Sequence, residues 1–164
     1  MSEGRLRGTH LVIVPLSGRR ASLKRFAEGL GRFTAIDLDC SLQQAVEGAE
    51  LEAEGRLEGG GIVEVVSDIY SLGRVPCLVV NSLNTVQAMA RVASRGKEWN
   101  RKYFRYLVAL TTACRARSEL TFFLLTFGRF DELRGLKDKK WFRPYGSLVD
   151  AIWILGESGL MPLT

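Results

Sequence analysis

Histidine occurs once in this chain, at His10, and cysteine three times, at Cys40, Cys77 and Cys114. One imidazole and no Cys-x-x-Cys pair leave a conventional zinc site short of ligands. Three widely spaced thiols make no disulfide framework; they read as buried free cysteines in the reducing cytoplasm. Cys114 alone has a basic neighbour, Arg115, but it falls on an apolar helical stripe, so packing explains it better than nucleophilic chemistry. His10 has no neighbour that suggests a triad and reads as a surface or strand-start residue. No run approaches the ~20 apolar residues of a membrane span. The opening Met1-Ser2-Glu3-Gly4-Arg5-Leu6-Arg7 lacks the apolar stretch of a signal peptide.

A phosphate loop is missing too. Ser17-Gly18-Arg19-Arg20-Ala21-Ser22-Leu23-Lys24 follows a strand, but it has neither a second glycine nor the Lys-Ser/Thr pair that cradles phosphate. It reads as a plain turn into a basic helix start. Asp37 and Asp39 fall on one face of an expected strand, yet no histidine or suitably placed lysine accompanies them. They read as exposed loop carboxylates. These absences predict no catalytic residue, no resident metal and no cofactor.

What is present is an ordinary core and an uneven charge. With 164 residues, 46% of them hydrophobic and 25% charged, the chain predicts one globular domain. The net charge is +5 and the pI about 9.4. From Asp37 to Asp68 nine carboxylates face only Arg56, and the part at about 37–61 reads as an acidic insertion within the domain. From Arg74 to Arg143 there are 15 Lys and Arg against five Asp and Glu. Arg101, Lys102 and Arg105 share one helix region, and Lys137, Lys139, Lys140 and Arg143 surround Trp141 and Phe142. Cations that track a phosphate backbone, interleaved with rings that can stack on bases, suit single-stranded or flexible RNA. No helix-turn-helix or finger pattern points to duplex grooves.

Leu11–Leu16 reads as a buried strand, and Leu23, Phe26, Ala27 and Leu30 recur at helical spacing after it. Leu42, Val46, Ala49 and Ala53 can line a helix that Gly59-Gly60-Gly61 stops. Ile62–Val66 reads as a strand, with a connection from Asp68 to Gly73. The next strand is Cys77–Val80, and Ser82 is placed to cap a helix whose stripe is Leu83, Val86, Met89, Ala90 and Ala93. A second helix from about Trp99 to Arg115 buries Tyr103, Leu107, Leu110 and Cys114. Thr121–Phe127 reads as a buried strand, Asp131–Arg134 as the start of a short helix, and Ser147–Leu155 as a closing helix. Strands alternating with helices predict an α/β fold, a mixed sheet covered by helices in one domain.

From Pro76 to about Ala113 the chain resembles the PRPK-binding-protein family, the small accessory subunit of the KEOPS complex. The resemblance rests on Leu78-Val79-Val80, the alanine-rich helix Leu83–Ser94, Gly96-Lys97, Arg101 and the helix Tyr103–Ala113. Ser147-Leu148-Val149-Asp150-Ala151-Ile152 is similar to the family's last helix. It implies a cytoplasmic, non-catalytic subunit that contacts a small atypical kinase and binds tRNA during threonylcarbamoyladenosine modification. On that reading Lys97, Arg101, Lys102 and Arg105 meet RNA phosphates, with Arg115 and Arg117 after them. Leu148, Ile152, Trp153 and Leu155 form an apolar partner face. Two other readings stay open: a structural subunit of another RNA-processing assembly, such as archaeal tRNA-splicing endonuclease, or a degenerate nuclease or nucleotide-binding domain.

Overall fold

A computed structural model describes residues 6–57, 60–128 and 130–163. Its centre is β1 (Gly8–Val14), where every residue from Thr9 onward is buried. A strand apolar on both faces belongs inside a parallel sheet with helices on either side. β1 indeed pairs parallel with β4 (Ser118–Thr126) and with β5 (Ala151–Gly156). β4 pairs parallel with β3 (Val75–Asn81), and β3 with the edge strand β2 (Thr34–Asp37). β6 (Gly159–Pro162) closes the other edge antiparallel to β5, giving the order β2-β3-β4-β1-β5-β6. The mixed α/β sheet that the sequence predicts is therefore present.

The two faces are unequally covered. Leu11, Ile13, Leu78, Val80, Phe123 and Leu125 point to a large core shared with α2 (Leu42–Ala53), α3 (Ile62–Tyr70), α4 (Leu83–Ala93) and α5 (Trp99–Arg117). Their neighbours at the strand period, Val12, Val14, Val79, Phe122 and Leu124, meet Leu23, Phe26 and Leu30 of α1 (Arg19–Leu30). The expected stripe of α4 is buried in full, as are Tyr103, Leu107, Leu110 and Cys114 of α5. The acidic segment contributes the end of β2 and the whole of α2, whose Ala49 sits in the main core.

Several expectations need correction. Ile62–Val66 is not a strand. Ile62, Val65, Val66 and Ile69 recur at i, i+3, i+4 and i+7, and α3 runs on to Tyr70, with Ile62 and Ile69 buried. Its β-branched residues argued for a strand; packing on α5 overrides that preference. The closing helix stops early: α6 is only Pro144–Leu148, and Ala151 to Gly156 form β5. There the period of two divides the expected partner face. Ile152 packs with the main core, whereas Trp153 and buried Leu155 lie on the α1 side. Leu148 also packs against the main core.

His10 is buried rather than superficial. Its Nδ1 accepts from Trp153 Nε1 at 3.1 Å and its Nε2 lies 2.8 Å from the Arg7 carbonyl. Cys77 and Cys114 are buried free thiols, but Cys40 is exposed, with Sγ 3.1 Å from Asp37 Oδ2. Gly8 has φ +89°, and a side chain there would run into Asp150, whose carboxylate accepts from the Thr9 amide at 2.8 Å. Among the described residues no helix is long and apolar enough to cross a membrane.

The burial pattern of α5 gives a direct check. Leu110 is fully buried and Val108 is 52% exposed. Leu110→Ala is expected to cost about 2–5 kcal/mol. Val108→Ala should stay within about 0.5 kcal/mol. Urea denaturation of both variants measures the difference, and equal losses would contradict the assigned face.

Candidate functional site

β1, β2, β3 and β4 run parallel, so their carboxyl ends share one edge of the sheet. In open α/β sheets this edge is where ligands bind. Here the segments that leave the four strands are tied together by side chains of the chain itself. Asp39 opens a 3₁₀ turn after β2 instead of extending the strand, so it does not share a strand face with Asp37. Its Oδ1 accepts from the Ser82 amide at 3.0 Å, the Ser82 hydroxyl at 2.9 Å and the Thr85 hydroxyl at 2.8 Å. Ser82 thus gives its hydroxyl to Asp39 and makes no side-chain cap on α4. Asp39 is a half-buried hub rather than a loose carboxylate.

Arg19 completes the tie. Its Nε donates to Thr126 Oγ1 at 2.9 Å, and its Nη2 lies 3.5 Å from Asp39 Oδ2. The ion pair is partly exposed, so its own contribution to stability is small. What it does is place a guanidinium at the start of α1, where a phosphate loop would leave room for phosphate. Asn84 fixes α4 to the end of β4 through two bonds with Thr126, at 2.9 and 2.8 Å. Asn81, joined to Ser82 by a cis peptide, has a buried Oδ1 with no partner among the described residues.

Beside this closed edge lies an open cleft of about 580 Å³. One wall is the end of β4, Leu125 to Phe127. A second is Gln87 and Arg91 of α4 with Glu98 and Trp99 at the start of α5, and the third is Trp141 and Tyr145. Arg91 sits over the Trp99 ring, 4.2 Å from its centre, and the Phe127 and Trp141 rings are 5.3 Å apart. Tyr103 and Tyr145, both on the cleft lining, join hydroxyl to hydroxyl at 2.6 Å and so hold α5 to α6. Burial pushes the Tyr145 hydroxyl up to about 12 and raises that of Tyr103 well above its ordinary value. Both hydroxyls therefore stay protonated near neutral pH. The cleft offers flat aromatic faces, one cation, Arg91, and one carboxylate, Glu98.

The predicted cations are scattered. Lys97 and Arg101 are exposed near the cleft, with Arg101 3.9 Å from Glu98. Lys102 instead binds Glu52 at 2.7 Å, and Arg105 lines a separate cavity beside it. Arg115 donates to Thr9 Oγ1 at 3.2 Å and to the Leu148 carbonyl at 3.0 Å, so it fastens α5 to the opposite end of the sheet. Arg117 stacks over Tyr70, 5.9 Å from the ring centre. A rise of 1.5 Å per residue puts Arg115 about 21 Å along α5 from Arg101. The two aromatics of the basic patch part company: Phe142 is buried in the core and Trp141 is 48% exposed on the cleft.

Sequence reasoning missed Asp39, Arg19, Trp99 and Arg91. Nothing local singles out Asp39 or Arg19, because their partners are contributed by other strands. Arg91 and Trp99 stand eight positions apart across a turn and meet because Arg95, Gly96 and Glu98, all at positive φ, reverse the chain between them.

Glu52 holds α2 to α5. Burial raises its carboxyl, but Lys102, the Tyr106 hydroxyl at 2.5 Å and the Gly61 amide outweigh that and hold it below the usual range. A carboxyl lowered by folding stabilises the protein above its unfolded value of about 4.3 and loses that contribution as the pH falls. Glu52→Gln should therefore lower the urea midpoint at pH 7 and flatten its decline between about pH 5 and pH 3. An unchanged acid limb would contradict the assignment. Among the described residues no group of three or more His, Cys, Asp or Glu is placed to hold a metal ion. No protein-family model matches the chain, and no curated protein is similar to it.

Proposed function

We propose that this chain is a non-catalytic subunit that holds the unpaired stretch of an RNA at the aromatic cleft. The observation that carries this reading is the meeting of two basic segments about 40 positions apart. Residues 91–101 contain four cations and one carboxylate, and residues 134–143 contain five cations and one carboxylate. The first supplies Arg91, Glu98 and Trp99 to the cleft and the second supplies Trp141. Lys97, Lys137, Lys139, Lys140 and Arg143 are all exposed around those contributions. Cations beside stacking rings are what an unpaired nucleic acid strand requires.

The closed edge above the strands supports the non-catalytic part of the reading. A strand–turn–helix on a parallel sheet suits a nucleotide-binding core, and here Arg19 and Asp39 stand where a nucleotide's phosphates would bind. A degenerate core kept for its scaffold agrees with both. The resemblance to the KEOPS accessory subunit supplies a setting, with tRNA as the RNA and a small kinase as the partner. Affinity purification of the tagged protein from its host tests that setting by whether kinase and tRNA come down with it.

The RNA reading is tested by salt titration. Affinity for a single-stranded RNA should fall as salt rises, by about 0.7 in the log–log slope for each phosphate contact. Replacing Lys139 and Lys140 together by alanine should weaken binding and reduce the slope by about 1.4. Arg115→Ala, at the far end of the sheet, should leave the affinity within error of the wild type. Equal losses in both variants, or none in the lysine pair, would contradict the assigned face.

A further inference from the structure

Resting on that reading of the cleft, the geometry points to a pocket for one unpaired base, guanine before the others, with Glu98 as the residue that reads it. The cleft of about 580 Å³ lies within the range of small-ligand sites, roughly 300–1,000 Å³. Trp141 is half exposed beside Phe127, and a free indole face stacks on any base. Arg91, already above Trp99, is at hand for the adjoining phosphate.

Glu98 is the carboxylate on the cleft lining. Its φ is +50°, a region that side chains other than Gly, Asn and Asp rarely take. It stands at the N-cap of α5 with its side chain making no capping bond, and glutamate is not among the preferred caps. Its pairing with Arg101 is 3.9 Å long between side chains 73% and 72% exposed, so it gains little there. A weakly paired, exposed glutamate at positive φ on the lining of the cleft has its carboxylate open to a ligand. An ionised carboxylate only accepts, and it has two oxygens. Guanine presents two adjacent N–H groups on its pairing edge, which match those oxygens. Adenine and cytosine offer a single amino group there, and uracil a single imide.

The test uses dye-labelled single-stranded oligouridylates with one central guanosine, adenosine or abasic residue, followed by fluorescence anisotropy. The guanosine oligomer should bind about tenfold more tightly than the abasic one, the effect of one stacked and paired base. Trp141→Ala should remove about tenfold from the guanosine oligomer, weaken the adenosine oligomer as well, and leave the abasic one nearly unchanged. Glu98→Gly should erase the preference for guanosine over adenosine without lowering the thermal midpoint, because glycine relieves the positive φ. Equal binding of guanosine and abasic oligomers would overturn the base pocket while leaving the RNA reading intact. Binding of none of them would overturn both. A guanosine preference that survives Glu98→Gly would remove Glu98 from the site. Tighter binding of N-acetylphenylalaninamide than of guanosine monophosphate would make the cleft a seat for a partner protein's side chain and overturn the proposal.

Discussion

The carboxylate of Asp39 is the interaction on which the rest of this molecule turns. It leaves the end of β2, takes three hydrogen bonds from Ser82 and Thr85 behind β3, and faces Arg19, which follows β1 and reaches Thr126 at the end of β4. Four strands that are far apart in the chain are thereby joined at one edge. A half-buried acceptor that satisfies three donors is costly to remove, because each donor left without a partner loses about 1–3 kcal/mol. Such a constraint fixes the strand ends whatever the surrounding loops do.

The cleft depends on that edge being fixed. Thr126, held by Arg19 and by both bonds of Asn84, is itself part of the cleft wall. The same asparagine sets the position of α4, from which Gln87 and Arg91 face the cleft. On the other side the buried Tyr103–Tyr145 pair locks α5 against α6 and so places Trp99 and Trp141. The cleft walls thus rest on the sheet end and the helices, and the turn between α4 and α5 carries Glu98 at positive φ.

How far the sequence could be read follows from the range of the interactions. The apolar runs Leu11–Val14 and Phe122–Leu125 gave away β1 and β4, because strands buried on both faces carry few polar positions. The stripes of α4 and α5 were equally plain, since helical neighbours lie three or four residues apart. Ile62–Tyr70 misled because its β-branched residues fit both periods, and only packing on α5 decides. Ile152 to Leu155 misled in the other direction, as a four-residue apolar run cannot tell a helix from a strand buried on both sides. Charge asymmetry was visible, but its partition was not. Lys102 is drawn to Glu52 and Arg115 to Thr9 at the amino end of β1, across 50 and 106 positions of chain. Past Leu148 the closing segment forms β5 where the apolar run had suggested a helix.

The central claim is that the aromatic cleft, and no other face, receives RNA. The chain's three tryptophans make this directly measurable, since Trp99 and Trp141 line the cleft while Trp153 packs beside His10 on the other side of the sheet. Indole N–H resonances can be followed by ¹⁵N NMR while a single-stranded RNA is added. The account predicts that the Trp99 and Trp141 signals move together and saturate while Trp153 stays in place. Saturating binding with the first two unmoved would contradict it.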